Sequence, residues 1–189
     1  MPGENAVSDA IPEILIRDVS LTDSPGLGRL HVDTWQATYK GIIADEYLLG
    51  MSYEKSTAMF ERMLKKPFPG LKTFVADAGD EIGIVGAATV GFERRKNHEF
   101  RGELHGIYVL PAFQHQGIGL RLVSAATVHL RKLGLRNMLV WVLADNPYRF
   151  FYEKLGGRIV EERWEAIGGQ DLKELAYGWP DIRIIASRS

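Results

Sequence analysis

The sequence contains no cysteine, and this absence removes several classes of functional site. Disulfide frameworks, thiolate metal centres and a cysteine nucleophile are excluded, and the lack of cysteine fits a reducing compartment. No apolar run approaches the roughly 18 residues of a membrane-spanning helix, and the N-terminus lacks a charged and then apolar leader. We therefore expect a cytoplasmic protein with no membrane span and no secretory signal.

An excess of charge of one sign is also lacking. The 23 basic and 24 acidic residues leave a net charge of −1, so the composition does not predict a nucleic-acid partner. Hydrophobic residues make up 46% and charged residues 25% of the 189 positions, as is typical of a globular protein. This length suits one domain, which we expect over residues 13–189 behind a flexible leader at residues 1–12.

Several familiar catalytic signatures are missing as well. No Gly-x-x-x-x-Gly-Lys-Ser/Thr string, the signature of a P-loop, occurs in the sequence. The glycine-rich segment Gln114–Gly119 lacks the third glycine of a dinucleotide-binding fingerprint. A Gly-x-Ser-x-Gly elbow, which a serine hydrolase would need, is absent too. No metal site is predicted. Apart from His105, the histidines show no spacing typical of metal ligands; they are His31, His98, His115 and His129.

What the sequence does contain is a strand, a glycine-rich turn and a helix in succession. The segment Leu104–Leu110 is apolar and is followed by Pro111, which cannot donate a hydrogen bond to a neighbouring strand. Apolar residues recur at three- and four-residue spacings between Gly117 and Gly134, which predicts a helix. The turn Gln114–Gly119 leaves the backbone bare where the first helical N–H groups lack partners. This arrangement predicts an anion site.

A second segment supports a specific interpretation of the first. Asn137–Leu143 is predicted to be a strand, and Asn146 follows it. After Asn146 comes Tyr152-Glu-Lys-Leu-Gly-Gly, predicted to be a short helix with glycine just past its end. Gln-x-x-Gly-x-Gly after a strand, and Asn followed by Tyr-Glu-x-Leu-Gly-Gly, resemble the acyl-CoA signatures of the GNAT superfamily of N-acetyltransferases.

The resemblance extends over about residues 13–180 and implies a fold and a cofactor. The implied fold class is α/β (α+β), with a mixed, mostly antiparallel central sheet, a splay between strands 4 and 5, and helices on both faces. The implied cofactor is acetyl-CoA, without a metal. Dimerisation is common among members of the family, but this sequence does not specify it.

The other elements follow from hydrophobic periodicity and from glycine and proline positions. The apolar stripe of the first helix includes Leu27, Leu30, Val32, Trp35 and Tyr39, and the core of the hairpin is predicted to contain Val75, Ile82, Ile84, Val85 and Val90. The predicted bounds are a strand at Glu13–Val19, helices from Ser24 to about Lys40, at Asp45–Leu49 and from Tyr53 to about Lys66, a hairpin of Lys72–Ala78 and Glu81–Arg94 joined at Gly79-Asp80, and final strands at Arg158–Ala166 and Lys173–Trp179. The charges of Arg94–Asn97 are predicted to lie at a solvated tip.

The resemblance also implies roles for residues around the cofactor. Main-chain groups along Ile107, Tyr108 and Val109 would pair with the pantetheine arm, and the Val109 N–H would polarise the thioester carbonyl. Asn146 would bind the pantetheine arm or merely cap a helix. The pyrophosphate would lie against the N–H groups of Gln116, Gly117, Ile118 and Gly119, with Gln114 and His115 at its rim.

The catalytic candidates are a proton donor and a proton acceptor. By the resemblance, Tyr152 would protonate the departing thiolate. A phenol has a reference pKa of about 10 against about 8.5 for a thiol, so it can do this only when it is held close. The alternative is a purely structural buried aromatic. An alkylammonium with a pKa of about 10.4 must lose a proton before it can attack. Glu103 acting through water, His105, or no dedicated base are the three possibilities.

The acceptor is the least determined part of the prediction. Trp35 and Tyr39 resemble residues that roof the acceptor pocket in small-molecule members, although their spacing of four fits a core stripe equally well. A small amine or an amino acid is the expected acceptor. Acetylation of a protein N-terminus or lysine is one alternative, and a catalytically silent CoA-binding module is another.

Overall fold

The computed structural model describes residues 13–95, Asn97 and residues 99–186, with the backbone alone at position 186. The leader expected at residues 1–12, and His98, lie outside the described residues. The strands are β1 (Leu15–Asp18), β2 (Lys72–Asp77), β3 (Ile84–Phe92), β4 (Gly102–Val109), β5 (Met138–Leu143), β6 (Arg158–Ile167) and β7 (Gln170–Trp179). The helices are α1 (Ser24–Tyr39), α2 (Asp45–Leu49), α3 (Tyr53–Lys65), α4 (Ile118–Lys132), α5 (Phe150–Lys154) and α6 (Arg183–Ala186).

The described strands form one seven-stranded sheet in the order β1-β2-β3-β4-β5-β7-β6. Neighbouring strands are antiparallel throughout, except that β4 and β5 are parallel. The mixed, mostly antiparallel sheet that the resemblance implied is therefore confirmed. The parallel pair lies in the middle of the sheet, and α4 provides the connection between its two strands.

The sheet is covered on both faces because successive side chains of a strand point to opposite sides. On β2, Val75 packs with Leu27 and Leu30 of α1, whereas the next residue, Ala76, packs with Leu122 of α4. Both helix faces are fully buried at these positions. The α1 and α4 helices therefore lie on opposite faces and hold the central strands between them, as expected.

Several predicted boundaries are wrong, and local backbone geometry explains the largest error. The strand predicted from Glu81 begins only at Ile84, because residues 79–83 form a turn in which Gly79 and Gly83 both have positive φ. The Gly83 N–H donates to the Gly79 carbonyl in that turn. Ile82, predicted to lie in the core, is 48% exposed on it.

Smaller errors occur at the other ends. A 3-10 turn capped by Ser20 precedes α1, and α1 ends one residue early, at Tyr39. The last hairpin is longer than predicted because Gly168 and Gly169, both with positive φ, form a tight turn between Ile167 and Gln170. The strand predicted at Leu104–Leu110 is shifted by one or two residues, to β4 as defined above.

The α1 helix passes very close to α3 at a glycine. A Cβ added to Gly28 would lie 2.8 Å from the backbone nitrogen and 3.0 Å from the Cα of Thr57. Backbone atoms cannot turn away as the end of a long side chain can, so only glycine permits this approach. The position matters for function because α1 carries Trp35 and Tyr39 toward the centre of the sheet.

We predict that Gly28→Ala lowers the free energy of unfolding by about 1–3 kcal/mol, as overpacking does. In an open helical position the same change would stabilise the helix by about 0.8–1.0 kcal/mol, so the sign of the effect is informative. Urea denaturation gives the value, and Arg29→Ala at the exposed neighbouring position provides a control with an expected change within about 0.5 kcal/mol. A gain in stability for Gly28→Ala would contradict the close packing of α1 on α3.

Candidate functional site

The strands β4 and β5 pair only where they begin. Gly102 pairs with Met138 and Glu103 with Leu139, and no later residue of β4 is registered with β5 in the described chain. The splay that the resemblance implied is therefore present. It leaves a gap in the middle of the sheet, open at the end where the glycine-rich turn follows β4.

The backbone of β4 directs hydrogen-bonding groups into this gap. The Leu110 N–H donates to the Val85 carbonyl, which makes Gly86 and Val109 a non-hydrogen-bonded pair of the β3–β4 ladder. The N–H of Val109 consequently points away from β3 and toward β5, where no partner strand is registered. By the same alternation, the Ile107 N–H also faces the gap, whereas main-chain groups of Tyr108 pair with β3.

The turn after β4 exposes the N-terminus of α4. Gly117 is the N-cap with φ of 78°, no side chain caps the helix, and a Cβ added there would meet nothing within 4 Å. His115 also has positive φ, at 60°, which is uncommon for a residue with a side chain. The first N–H groups of α4 thus face open space without partners, which is the physical requirement for binding an anion.

Two glutamines hold the turn in shape. The Gln114 Nε2 donates to the Val109 carbonyl at 3.1 Å, and the Gln116 Nε2 donates to the Ala112 carbonyl at 3.1 Å. A third contact sets the turn against α5, because a Cβ added to Gly119 would lie 3.2 Å from the Phe151 ring. The two glutamine side chains therefore stabilise the backbone at this turn.

A cavity of about 430 Å³ joins the turn, the gap and α1. Its size is that of a small-molecule site. The predicted site residues on its wall are Trp35, Tyr39, Ile107, Tyr108, Val109, Gln114, His115, Gly117, Ile118, Gly119, Asn146 and Tyr152. The wall also includes residues that the sequence did not single out, namely Thr34, Thr38, Phe113, Leu120, Pro147, Tyr148, Phe150, Phe151 and Lys154. Three predicted residues, Glu103, His105 and Gln116, are not on the wall.

Tyr152 on α5 is buried at the edge of the cavity. Its ring contacts Phe151, Tyr177 and Trp179, with centroid distances of 5.5, 5.7 and 6.3 Å. Burial strongly raises the pKa of the Tyr152 phenol, and the nearby hydroxyls of Tyr39 and Tyr108 raise it further. The phenol is therefore fully protonated at neutral pH, and its ring is fixed by packing.

The α1 side of the cavity is aromatic. Trp35 and Tyr39 meet edge to face with centroids 5.0 Å apart. The Asn146 Nδ2 donates to the Tyr39 hydroxyl at 3.1 Å, and the Asn146 Oδ1 accepts from the Tyr148 N–H at 2.8 Å. Burial raises the pKa of Tyr39 to about 12, so this wall carries no phenolate at neutral pH. Asn146 thereby ties the loop after β5 to α1.

Glu103 is buried in β4, where that strand still pairs with β5, and it is bound by an arginine. The Arg94 Nε lies 3.1 Å from both carboxylate oxygens, the Arg94 Nη2 also binds Oε1, and the Arg94 main-chain N–H donates to Oε2 at 3.1 Å. Burial alone would raise the pKa of Glu103, but these contacts outweigh it and the pKa is lowered. Arg94 is exposed as predicted, with 57% of its side chain accessible, and its guanidinium also reaches back to the Glu103 carboxylate. This pairing had no local sequence signal, because nine residues and a turn separate the partners.

His105 sits at a bulge in β4. The β3–β4 register passes from Val90–Leu104 to Thr89–Gly106, so His105 is an extra, unpaired residue. The expectation that Glu103 and His105 share a face rested on strict alternation, which does not hold across a bulge. Burial lowers the pKa of His105, and its Nε2 lies 3.1 Å from the Phe92 carbonyl, an acceptor that requires the proton on Nε2. The ring is therefore neutral, with its lone pair on Nδ1.

Two further observations on the described residues concern metal ions and membranes. No group of three or more His, Asp or Glu side chains in the described chain is arranged to hold a metal ion. None of the described helices combines the length and the apolarity needed to cross a membrane.

Comparisons with known proteins show which family the chain belongs to. Residues 35–157 match the acetyltransferase (GNAT) family model. The chain is similar to the uncharacterized N-acetyltransferase YuaI of Bacillus subtilis, with 35% identity over 89% of this chain and 94% of the relative. It is also similar to the spermidine N(1)-acetyltransferase of Thermoplasma acidophilum, with 27% identity over 77% of this chain and 89% of the relative.

Solved structures share the fold. The PaiA N-acetyltransferase of Thermoplasma acidophilum, crystallised with coenzyme A, aligns with a TM-score of 0.66 at 23% identity, over 86% of this chain and 98% of its own. YncA of Salmonella typhimurium, solved with acetyl-CoA, aligns with a TM-score of 0.65 at 18% identity, over 90% and 94%. The family match, the splayed sheet and the open turn together identify the chain as a member of the GNAT family and an acetyl-CoA-dependent acyltransferase.

Proposed function

We propose that this enzyme transfers the acetyl group of acetyl-CoA to the primary amine of a small molecule or amino acid. The observation that carries the proposal is the continuous path from the open N-terminus of α4, along the unpaired edge of β4, to an aromatic wall on α1. One end of this path suits a diphosphate and the other suits an organic acceptor. The spermidine N(1)-acetyltransferase relative adds support for a small amine.

The turn and β4 would position the acetyl donor, which when bound supplies an activated thioester. The N–H groups of Gln116, Gly117, Ile118 and Gly119 would hold the pyrophosphate, and those of Ile107 and Val109 the pantetheine arm. At Gly117 the absence of any atom within 4 Å of a built Cβ leaves room for the phosphates. The unpaired Val109 N–H would stabilise negative charge developing on the carbonyl oxygen, a type of interaction worth about 3–4 kcal/mol in other enzymes.

Tyr152 would protonate the departing sulfur. Its raised pKa keeps the proton on the phenol until the thiolate forms beside it, and its packing against Trp179 and Tyr177 fixes the ring. Trp35 and Tyr39 would contact the acceptor. Asn146 would hold Tyr39 in place through its amide nitrogen, so its contribution to binding would be partly indirect.

Glu103 and His105 remain the two side-chain candidates for taking a proton from the amine. Neither is on the cavity wall, so either would have to act through water. Glu103 is engaged by Arg94, whereas the Nδ1 lone pair of His105 is available by the argument given above. Acetylation of a protein N-terminus or lysine is the alternative enzyme function. The aromatic wall that Trp35 and Tyr39 form in the cavity supports the small amine.

An acceptor screen tests the proposed function. Free CoA would be measured after incubation of the enzyme and acetyl-CoA with a panel of small amines and amino acids, and separately with peptides bearing a free N-terminus or lysine. We expect release with members of the small-amine panel and little with the peptides. Acetylation confined to peptides would favour the alternative, and tight acetyl-CoA binding without release from any acceptor would indicate a silent binding module.

Gly117→Glu is predicted to abolish acetyl-CoA binding, because the new carboxylate would lie against the pyrophosphate. A matched control exists at the other end of α4, since Gly134 has the same φ of 78° and a Cβ added there also meets nothing within 4 Å. Gly134→Glu should therefore carry the same backbone strain, about 1–2 kcal/mol, without touching the cofactor. Calorimetric titration should show loss of affinity in the first variant alone; equal affinities would refute the assignment of the turn.

Tyr152→Phe is predicted to lower kcat by about 100-fold or more, the usual contribution of a general acid, with little change in the KM for acetyl-CoA. Tyr177→Phe is the control, because its ring packs on Tyr152 while its hydroxyl bonds Glu153 and Arg149 instead. That variant should keep its kcat. Steady-state kinetics decide the matter, and a Tyr152→Phe enzyme with wild-type kcat would remove the phenol from the mechanism.

A further inference from the structure

The chemistry of the cavity wall bears on how the amine loses its proton. Among the described residues, no aspartate or glutamate lines the cavity. Carbon and neutral polar groups dominate the acceptor side, which consists of Thr34, Trp35, Thr38, Tyr39 and Tyr108. Such a surface offers an ammonium ion no carboxylate in exchange for its lost hydration, and the rings of Trp35, Tyr39 and Tyr108 offer only the weaker cation–π attraction, so the charged form of a bound amine is disfavoured.

Two carboxylates behind this wall, Glu103 and Glu174, are each paired with an arginine. Glu103 is paired with Arg94, as described above. Glu174 of β7 lies close enough to influence Tyr39 electrostatically. Its Oε2 accepts from the Arg163 Nε and lies 2.6 Å from both Nε and Nη2 of that guanidinium. Each of these two ion pairs therefore has no net charge.

The other titratable groups around the cavity do not attract a cation either. Lys154 of α5 also lies on the wall, and a lysine supplies no counter-charge for an ammonium ion. Burial lowers the pKa of His31, behind Trp35 and Tyr108, to about 4, so this ring is neutral. The phenols of Tyr39 and Tyr152 keep their protons at neutral pH because burial raises both pKa values, and His115 lies on the donor side, in the turn before α4.

We propose that the acceptor enters this cavity as the uncharged free base, and that its class is an amine of low basicity carried on an apolar or aromatic body. The inference rests on the proposed function and specifies its substrate. A polyamine, whose several ammonium groups would need counter-charges, does not suit this wall. The aromatic rings Trp35, Tyr39 and Tyr108 instead suit an aromatic or aliphatic body.

The proton balance of the reaction supports a free-base acceptor. A neutral amine forms one N–C bond to the acetyl carbon, the C–S bond breaks, and the nitrogen loses one proton while the sulfur gains one. Tyr152 supplies the proton to sulfur and can then take up the proton that the nitrogen loses. No proton is therefore left over. An ammonium acceptor would release one additional proton, and a dedicated base would have to receive it. Glu103 held by Arg94 is poorly suited to that task.

The inference predicts a preference set by the pKa of the amine. Phenylalaninamide and phenethylamine have similar aromatic bodies, but an α-amino group has a pKa of about 7.7–8.0 and an alkylamine of about 10.4. At pH 7 the uncharged fraction of phenylalaninamide exceeds that of phenethylamine on the order of 300-fold. We expect kcat/KM at pH 7 to favour phenylalaninamide by at least about 10-fold, since the lower intrinsic nucleophilicity of the weaker base offsets part of this ratio.

The decisive experiment is the pH dependence of kcat/KM for both amines, measured as CoA release from the full chain between about pH 6 and pH 10.5. Each profile should rise with pH and be half-maximal at the pKa of its own amine, about 8 for phenylalaninamide and about 10.4 for phenethylamine. A single inflection shared by both amines, with a fall above the pKa of each, would show ammonium binding and an enzyme base. If that shared inflection were lost in Glu103→Gln, the base would be Glu103, and the inference would be wrong.

A matched pair of variants tests the wall itself. Thr38→Asp would place a carboxylate on the acceptor side, and Thr38→Asn would place a neutral group of the same shape there. We expect Thr38→Asp to raise kcat/KM for phenethylamine relative to phenylalaninamide at pH 7 by about 10-fold, and Thr38→Asn to leave the ratio unchanged. Equal ratios in the two variants would contradict the inference. Absence of CoA release with every amine would refute the proposed function as well, whereas release with a shared inflection would refute only the free-base acceptor.

Discussion

The structure depends on an incomplete strand pairing. Strands β4 and β5 are parallel neighbours for two residue pairs and then separate, which leaves the outward N–H groups of β4 without partners in the middle of a sheet. Unpaired main-chain groups are costly when buried, so a protein retains such a gap only where another molecule or solvent can reach it. The cavity lies where this separation opens, and the aromatic wall of α1 faces it across the sheet.

The packing around the gap explains why it does not close. On one face, α4 packs Leu122, Ala126 and Leu130 against the central strands with no exposed surface. At the open end, α5 inserts Phe151 and Tyr152, and the Asn146–Tyr39 hydrogen bond ties the loop after β5 to α1. The ion pair of Arg94 with Glu103 sits at the closed end, where β4 and β5 still pair. The gap is therefore braced at both ends by side chains, and its width is a property of the fold.

Local sequence signals predicted the parts of the site that depend on the backbone. Gly117 and Gly119 indicated a bare turn because glycine adopts a positive φ and allows a close approach more readily than other residues, and proline after β4 marked the end of the strand. The order of elements and the mostly antiparallel sheet followed from periodicity together with the family resemblance. These features need only a few adjacent residues, so a single sequence reveals them.

Other features depend on contacts between distant segments and left little or no such signal. The pairing of Arg94 with Glu103 joins a loop to a strand, and the pairing of Arg163 with Glu174 crosses the last hairpin. The bulge at His105 altered the facing of β4, and its one local mark in the sequence was the adjacent Gly106. Ile82 was assigned to the core by its hydrophobicity, although two left-handed glycines place it in an exposed turn. The chemical character of the acceptor wall became evident only once α1, β4 and α5 were brought together.

The central claim is that the β4 edge is unpaired until the acetyl donor binds there. Amide hydrogen exchange measured by nuclear magnetic resonance, with and without acetyl-CoA, tests this claim directly at Val109. The account predicts rapid exchange of the Val109 amide in the free protein and strong protection in the complex, with the Tyr108 amide, which is paired to β3, protected in both. A Val109 amide that is already protected in the free protein, or that stays unprotected with acetyl-CoA bound, would contradict it.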